Sequence, residues 1–347
     1  MIKLIYINVM KHIFYLCIIF FSLTNTCFTQ TRKENTIVIN KNEQNINDLL
    51  STIWEESQTY ISKGQVADYI PELSKANKNL VGIAIIDNKG KLYTKGDTQN
   101  KFTIQSISKV IALMIAVNER GESYIFERMG YYGTNAPFNS FDEIQTQNKP
   151  LNPMMNAGAI VTTSLILGKK EEAYLKILKM IRFITKNESI TINQAVYLSE
   201  KKTGNRNRGM FYLLKNYGLF EAEDEESLNN YFRQCSIEVN AEDLAKIGYF
   251  FAHDCTRFDG DKTYYNPEMS KLINSIMLTC GMYDYSGEYS RKVGFPSKSG
   301  VGGGIMGVVP GKYGIGTFNP SLDNHGNSVP GIYIMESLSK KLDLSIF

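Results

Sequence analysis

The stretch KSGVGGGIMGVVPGKYGIGTF, residues 298–318, decides the fold. Its runs Gly304–Val309 and Tyr313–Phe318 flank Pro310-Gly311-Lys312, a pattern that predicts a β-hairpin late in the chain. Residues 80–87, the turn Asn88-Lys89-Gly90 and residues 91–95 predict a second hairpin, early, of one buried and one amphipathic strand. Between them, residues 171–185, 193–201, 226–234, 240–253 and 267–278 carry helical periodicity. Asn240 has the position of an N-cap, with Asp243 in the first turn and Leu244, Ile247 and Phe251 behind it. Ile46, Leu49, Leu50, Ile53 and Trp54 predict an amphipathic helix before the first hairpin, and Ile334, Leu338 and Leu342 share a face of a closing helix after Pro330-Gly331. The pattern predicts a mixed α/β fold. An antiparallel sheet is assembled from both chain ends (about 80–105 and 290–320), flanked by helices, with a helical subdomain inserted over about 106–285. A ligand site then falls where the two parts meet.

The 347 residues are 43% hydrophobic, enough to bury one large core, and show no repeat or Pro/Ser-rich linker that would divide it. A formal net charge of +3, with lysines and acids interspersed, offers no basic face for nucleic acid and points to a small-molecule partner. At the N-terminus, Lys11-His12 precede an apolar run over 13–23 that is short for a bilayer span. Residues 1–30 therefore read as a removable signal peptide cut near Thr31, followed by a polar tail over 31–45 and a single domain over 46–347. The mature chain is expected to be exported, periplasmic or secreted, with no stable membrane span. Lipidation at Cys27 is disfavoured because Thr24-Asn25-Thr26 lack the small residues such a site wants. Cys235, Cys255 and Cys280 remain, an odd number without metal-ligand spacing, and are expected to be buried free thiols.

Ser106-Ile107-Ser108-Lys109 opens a second apolar stretch. A serine hydroxyl is a weak nucleophile until a base takes its proton, and a lysine at i+3 on a helix shares its face. Burial favours loss of the ammonium proton near neutral pH. S-x-x-K alone occurs by chance in many proteins, but Lys298-Ser299-Gly300 supplies a K-[ST]-G triad on a late strand, and the two together are the pairing of serine β-lactamases and penicillin-binding proteins. The N–H groups of Ser106 and Val301 would then form an oxyanion hole. Competing chemistries fail on context. Gly302–Gly307 satisfies G-x-G-x-x-G but leads into a β-branched run instead of a helix, which removes the dinucleotide reading. There is no G-x-S-x-G elbow for a Ser-His-Asp site and no H-E-x-x-H or cysteine cluster for a metal. The charged run 221–226 reads as a solvated helix start.

FTIQSISKV, NPMMNAGAI, SEKKTGNRNRG, YFRQCSIEV, CGMYDYSGEY and KSGVGGGIMGVVPGKYGIGTFNPSLDNHGNSVPG, in that order, resemble the serine-dependent glutaminases, the bacterial and kidney-type family built on the β-lactamase-like fold. The resemblance runs from about Ile46 to the C-terminal helix. It implies hydrolysis of L-glutamine to L-glutamate and ammonia through a γ-glutamyl ester on Ser106, with Lys109 as base and no cofactor. It also implies substrate contacts at Tyr69, Asn156, Glu200, Asn207, Tyr231, Tyr283 and Val301, positive charge from Lys298, and a homodimer or homotetramer. These types suit a zwitterion: Glu200 matches the α-ammonium, while Asn156, Asn207 and Tyr231 donate to the α-carboxylate without burying another full charge. Tyr283 is placed to relay a proton to departing ammonia. A β-lactamase-like acyl transferase or amidohydrolase, and a catalytically idle amino-acid-binding protein, remain as alternatives. The leader departs from the family, whose members usually work inside the cell or organelle.

Overall fold

The computed structural model describes residues 43–220, 225–262 and 265–347. The leader, most of the polar tail and residues 221–224 of the charged run lie outside the described residues.

Helix α1 (Glu43–Ser57) precedes the early hairpin of β1 (Gly82–Ile86) and β2 (Leu92–Gly96), closed where Asp87 N–H donates to the Lys91 carbonyl at 3.0 Å. Two residues then form β3 (Phe102–Thr103). The helical part follows as α2 (Ser108–Arg120), α3 (Glu122–Arg128), α4 (Asp142–Gln147), α5 (Asn156–Leu165), α6 (Glu172–Thr185), α7 (Gln194–Thr203), α8 (Asn205–Asn216) and α9 (Glu226–Cys235). After β4 (Glu238–Val239) come α10 (Ala241–Ala252), α11 (Glu268–Cys280) and α12 (Ser286–Lys292). The chain returns to the sheet as β5 (Ser297–Ser299), β6 (Gly304–Val309) and β7 (Tyr313–Phe318), and ends in α13 (Val329–Leu342). The five-stranded sheet has the order β2-β1-β7-β6-β5 and is antiparallel throughout, so the late hairpin pairs with the early one through Gly82↔Phe318 to Ile86↔Gly314. The sheet is thus built from both chain ends, as the two hairpins require.

Glycines set how closely the sheet is covered. A Cβ at Gly314 would lie 2.0 Å from the Tyr249 nitrogen, and one at Gly316 would lie 2.0 Å from the Ala241 carbonyl oxygen, so α10 rests its backbone directly on β7. The opposite face carries α13: a Cβ at Gly307 would meet the Met335 side chain at 3.3 Å, and one at Gly331 would meet Ile305 at 2.9 Å. Helix α10 begins with the expected cap. The Asn240 side chain accepts from Asp243 N–H at 2.9 Å and Asp243 Oδ2 accepts from Asn240 N–H at 3.2 Å, a reciprocal capping box. Ser328 caps α13, with Pro330 in its first turn.

Residues Ser108 to Val117 of α2 are all buried, so this helix runs through the core as an element apolar on every side. Residues Asn47–Phe347 form one compact unit. Cys235, Cys255 and Cys280 are buried and free, as expected. Among the described residues no helix is long and apolar enough to cross a membrane.

Candidate active site

The Ser106 turn joins β3 to α2. Strand β3 pairs with β4 through Phe102↔Val239, and Ile104 N–H donates to the Ile237 carbonyl at 2.8 Å, which pins the chain just before the serine. Gln105 then takes φ 49°, a left-handed conformation uncommon outside glycine, and the 3-10 turn Gln105–Ile107 delivers Ser106 to the head of α2. Ser106 is buried, and its side chain neighbours the phenol of Tyr283.

Lys109 sits in the first turn of α2, 1% exposed, and its Nζ donates to the Met154 carbonyl at 2.9 Å and to Asn156 Oδ1 at 2.8 Å. Burial pushes its pKa down to about 8, against the opposing pull of the Cys235 and Glu200 charges. The helix proper starts at Ser108, so the serine and lysine are held by one turn while each has its own hydrogen-bond partner.

Strand β5 brings the second motif alongside. A Cβ at Gly300 would lie 2.7 Å from the Ile104 carbonyl oxygen and one at Gly302 would lie 2.3 Å from that of Thr103. Val301 is therefore pressed against the serine turn, and its N–H has no hydrogen-bond partner among the described residues, as an oxyanion donor requires. Lys298 is wholly buried. Its Nζ donates to the carbonyls of Gly281 and Ser299, both at 2.8 Å, and lies 3.9 Å from the centroid of the Tyr283 ring. The carbonyls and the ring face favour its ammonium. Burial and the nearby Lys109 charge oppose it and hold its pKa well below the ordinary lysine range. Tyr283 has φ 58°, is 5% exposed, donates to the Ser299 carbonyl at 3.3 Å, and has its phenol raised by burial.

The remaining residues of the cluster, Tyr69 aside, come from four helices. Asn156 opens α5: its N–H donates to the Phe138 carbonyl at 2.9 Å, and its Nδ2 donates to Asn207 Oδ1, on α8, at 3.0 Å. Glu200, on α7, is 5% exposed, and its Oε2 has no hydrogen-bond partner among the described residues. Burial pushes its pKa up to about 8, with Lys109 pulling the other way. Tyr231, on α9, is 2% exposed, and its phenol is raised by burial and then by the charges of Cys235, Glu200, Tyr69 and Tyr283. Tyr69 is 53% exposed as a residue, while its hydroxyl end is desolvated and feels the Glu200 charge.

The fold thus gathers every residue singled out in the sequence into one neighbourhood: Ser106, Lys109, Tyr283, Lys298 and Val301 at one end, Asn156, Glu200, Asn207, Tyr231 and Tyr69 at the other. Two further residues belong to it. Phe138 packs on Tyr283 at a tilt of 40°, with centroids 4.8 Å apart, while its carbonyl holds Asn156, and nothing in the irregular stretch around it carries a periodic signal. The buried thiol of Cys235 lies beside Tyr231 and Ser108 behind the serine turn. That residue lies inside the YFRQC motif but its type alone suggests only packing. Among the described residues no group of His, Cys, Asp and Glu is placed to hold a metal ion.

Comparison with known proteins gives a consistent result. The family model described as Glutaminase matches residues 64–347. A glutaminase of Clostridium botulinum (strain Loch Maree / Type A3) is 47% identical over 307 residues, covering 87% of this chain and 100% of that protein. The solved structure of a Bacillus subtilis probable glutaminase superposes with a TM-score of 0.82 at 34% identity, covering 87% of this chain and 98% of that one. A second, the Bacillus subtilis probable glutaminase complexed with 6-diazo-5-oxo-L-norleucine, gives 0.79 at 36% identity over 86% and 96%. The shared architecture is the β-lactamase-like fold.

Proposed function

The chain belongs to the glutaminase family and is a glutaminase; from that premise we propose that it hydrolyses L-glutamine through a γ-glutamyl ester on Ser106. Lys109, whose amine becomes available near pH 8, takes the hydroxyl proton as Ser106 Oγ bonds to the side-chain amide carbon. The N–H groups of Ser106 and Val301 hold the oxyanion. The proton taken from the serine passes to the amide nitrogen through Tyr283, whose phenol lies beside Ser106 and donates to the Ser299 carbonyl, and ammonia leaves as the C–N bond breaks. Water, deprotonated by the same amine, then attacks the ester, releasing L-glutamate and restoring Ser106. Glu200 receives the α-ammonium, Asn156, Asn207 and Tyr231 the α-carboxylate, and Tyr69 borders the entrance. Lys298 fixes the Tyr283 ring.

The observation that carries this reading is Glu200, a buried carboxyl with an orphan oxygen that feels the charge of Lys109, one turn from the serine. A buried acid left unpaired is costly. A ligand ammonium relieves that cost, which favours an α-amino acid over a β-lactam. The relative complexed with 6-diazo-5-oxo-L-norleucine, itself an amino acid, supports the same substrate class. The test is release of ammonia and glutamate from L-glutamine by the purified chain, beside Ser106→Ala and Lys109→Ala, with asparagine and a β-lactam as controls. Turnover of glutamine lost in both variants is the expected result; turnover of the β-lactam alone would overturn the substrate assignment.

Two further parts of the proposal concern the setting. Residues 1–30 direct export, so that the mature enzyme acts on external glutamine, and the enzyme assembles as a homo-oligomer. Unchanged ammonia in the growth medium after deletion of the gene would remove the first. A monomeric mass in solution would remove the second.

A further inference from the structure

Tyr283 occupies a left-handed backbone position, and what holds it there lies outside the residues considered so far. Its successor Asp284 accepts a hydrogen bond from His325 Nδ1–H at 2.9 Å. His325 belongs to the loop between β7 and α13, where Asp323 Oδ1 accepts from the N–H groups of both His325 and Asn327 at 2.9 Å. Asn327 Nδ2 reaches the carbonyl of Met282, on the other side of Tyr283, at 3.5 Å. The residue between them, Gly326, lies against the oxyanion donor: a Cβ there would meet Val301 Cγ1 at 3.3 Å and Phe138 at 3.5 Å. One five-residue loop therefore grips both flanks of Tyr283 and backs Val301.

We propose that His325 and Asp284 are positioning residues for the hydrolysis, a latch that keeps Tyr283 and Val301 in register with Ser106 and tightens when the imidazole is protonated. The latch rests on the reading of Tyr283 as the proton carrier. The charged and titratable groups facing the imidazole are Asp284, Asp323 and Glu288, with the Tyr285 ring stacked on it at 5.5 Å and Lys292 bound to both Tyr285 and Glu288. The surplus of acid favours imidazolium. Burial opposes it, and the bond to Asp284 leads the groups that carry the pKa above its ordinary value of 6.5. For a raised pKa the added hold is complete below the ordinary value and fades as pH rises through the raised one.

The experiment measures kcat and KM against pH for the full chain and for His325→Gln, His325→Arg, Asp284→Asn and Tyr283→Phe. The latch predicts that His325→Gln and Asp284→Asn lower kcat by about 2- to 5-fold at pH 6, the size expected of a half-exposed charged contact. It predicts that KM changes little and that the difference from the parent shrinks above the raised imidazole pKa. His325→Arg, a cation at every pH, keeps the parent kcat at pH 6 and exceeds it at alkaline pH. Profiles for the His325 and Asp284 variants that superimpose on the parent, or a pH-independent loss in all three, would overturn the latch. If Tyr283→Phe retains parent activity, it is the proton-carrier reading that falls.

Discussion

Glu200→Gln separates what the empty fold wants from what the substrate wants. The Glu200 carboxyl is 5% exposed and its pKa is raised from 4.5 to about 8 by burial. A carboxyl whose folded pKa lies above its unfolded one binds a proton on folding, so stability falls as pH rises from the ordinary carboxylate range to about 8 and is level beyond it. At about 1.4 kcal/mol per pH unit, the ionised carboxylate costs the empty enzyme on the order of 5 kcal/mol above that point. Glutamine removes the charge but leaves a buried amide short of partners, which returns about 1–3 kcal/mol of that cost. The variant is therefore expected to be more stable than the parent by about 2–4 kcal/mol at pH 8.5, a rise in Tm of roughly 4–8 °C, and less stable by about 1–2 kcal/mol at pH 4.5, where the parent carboxyl is neutral and only the amide's penalty remains. Its kcat/KM for L-glutamine should fall by about 10²- to 10³-fold, because the α-ammonium loses a desolvated carboxylate. Thermal unfolding at the two pH values and steady-state kinetics on the same preparations are the assays. An unchanged Tm at pH 8.5, or a kcat/KM within about threefold of the parent, would refute the reasoning.

Lys109 sets a second expectation: kcat should rise tenfold per unit as pH approaches about 8 and level off above it, since only the deprotonated amine accepts the serine proton, and a kcat flat across that window would contradict it. Glu200 ionises in the same window and the same direction, so the limb is read at saturating glutamine, where Glu200 is already paired. Gly316→Val should lower stability by about 3 kcal/mol or more, because the new Cβ would sit 2.0 Å from the Ala241 carbonyl and lift α10 from the sheet; denaturant midpoints measure it, and a midpoint equal to the parent's would contradict the packing described.

The sheet was legible because its hairpins are bounded by turn residues on both sides, Asn88-Lys89-Gly90 and Pro310-Gly311-Lys312, and its strands come from opposite ends of the chain. The helices with one apolar face were equally plain, and the windows 193–201 and 240–253 correspond to Gln194–Thr203 and Ala241–Ala252. Helix α5 was not, because NAGAIVTTSL is buried almost all round and shows no polar face to set a period. The two-residue strands β3 and β4 are too short for any periodicity, although it is they that anchor the serine turn. The site residues could be picked out only as members of motifs. An isolated Asn207 or Tyr231 has no chemistry its type announces, and what sets Glu200 apart in the structure is an orphan oxygen that burial creates. The left-handed conformations of Gln105 and Tyr283 were beyond sequence reasoning altogether, since both residue types ordinarily avoid them.

The claim on which the rest depends is the ester on Ser106. Its most direct test is the intact mass of the enzyme acid-quenched during turnover of L-glutamine, followed by peptide mapping of the modified fraction. The mechanism predicts a fraction heavier by one glutamyl group, attached within residues 102–109 at Ser106, absent from Ser106→Ala and chased away when glutamine is exhausted. An adduct on any other residue, or turnover by Ser106→Ala at the parent rate, would contradict it.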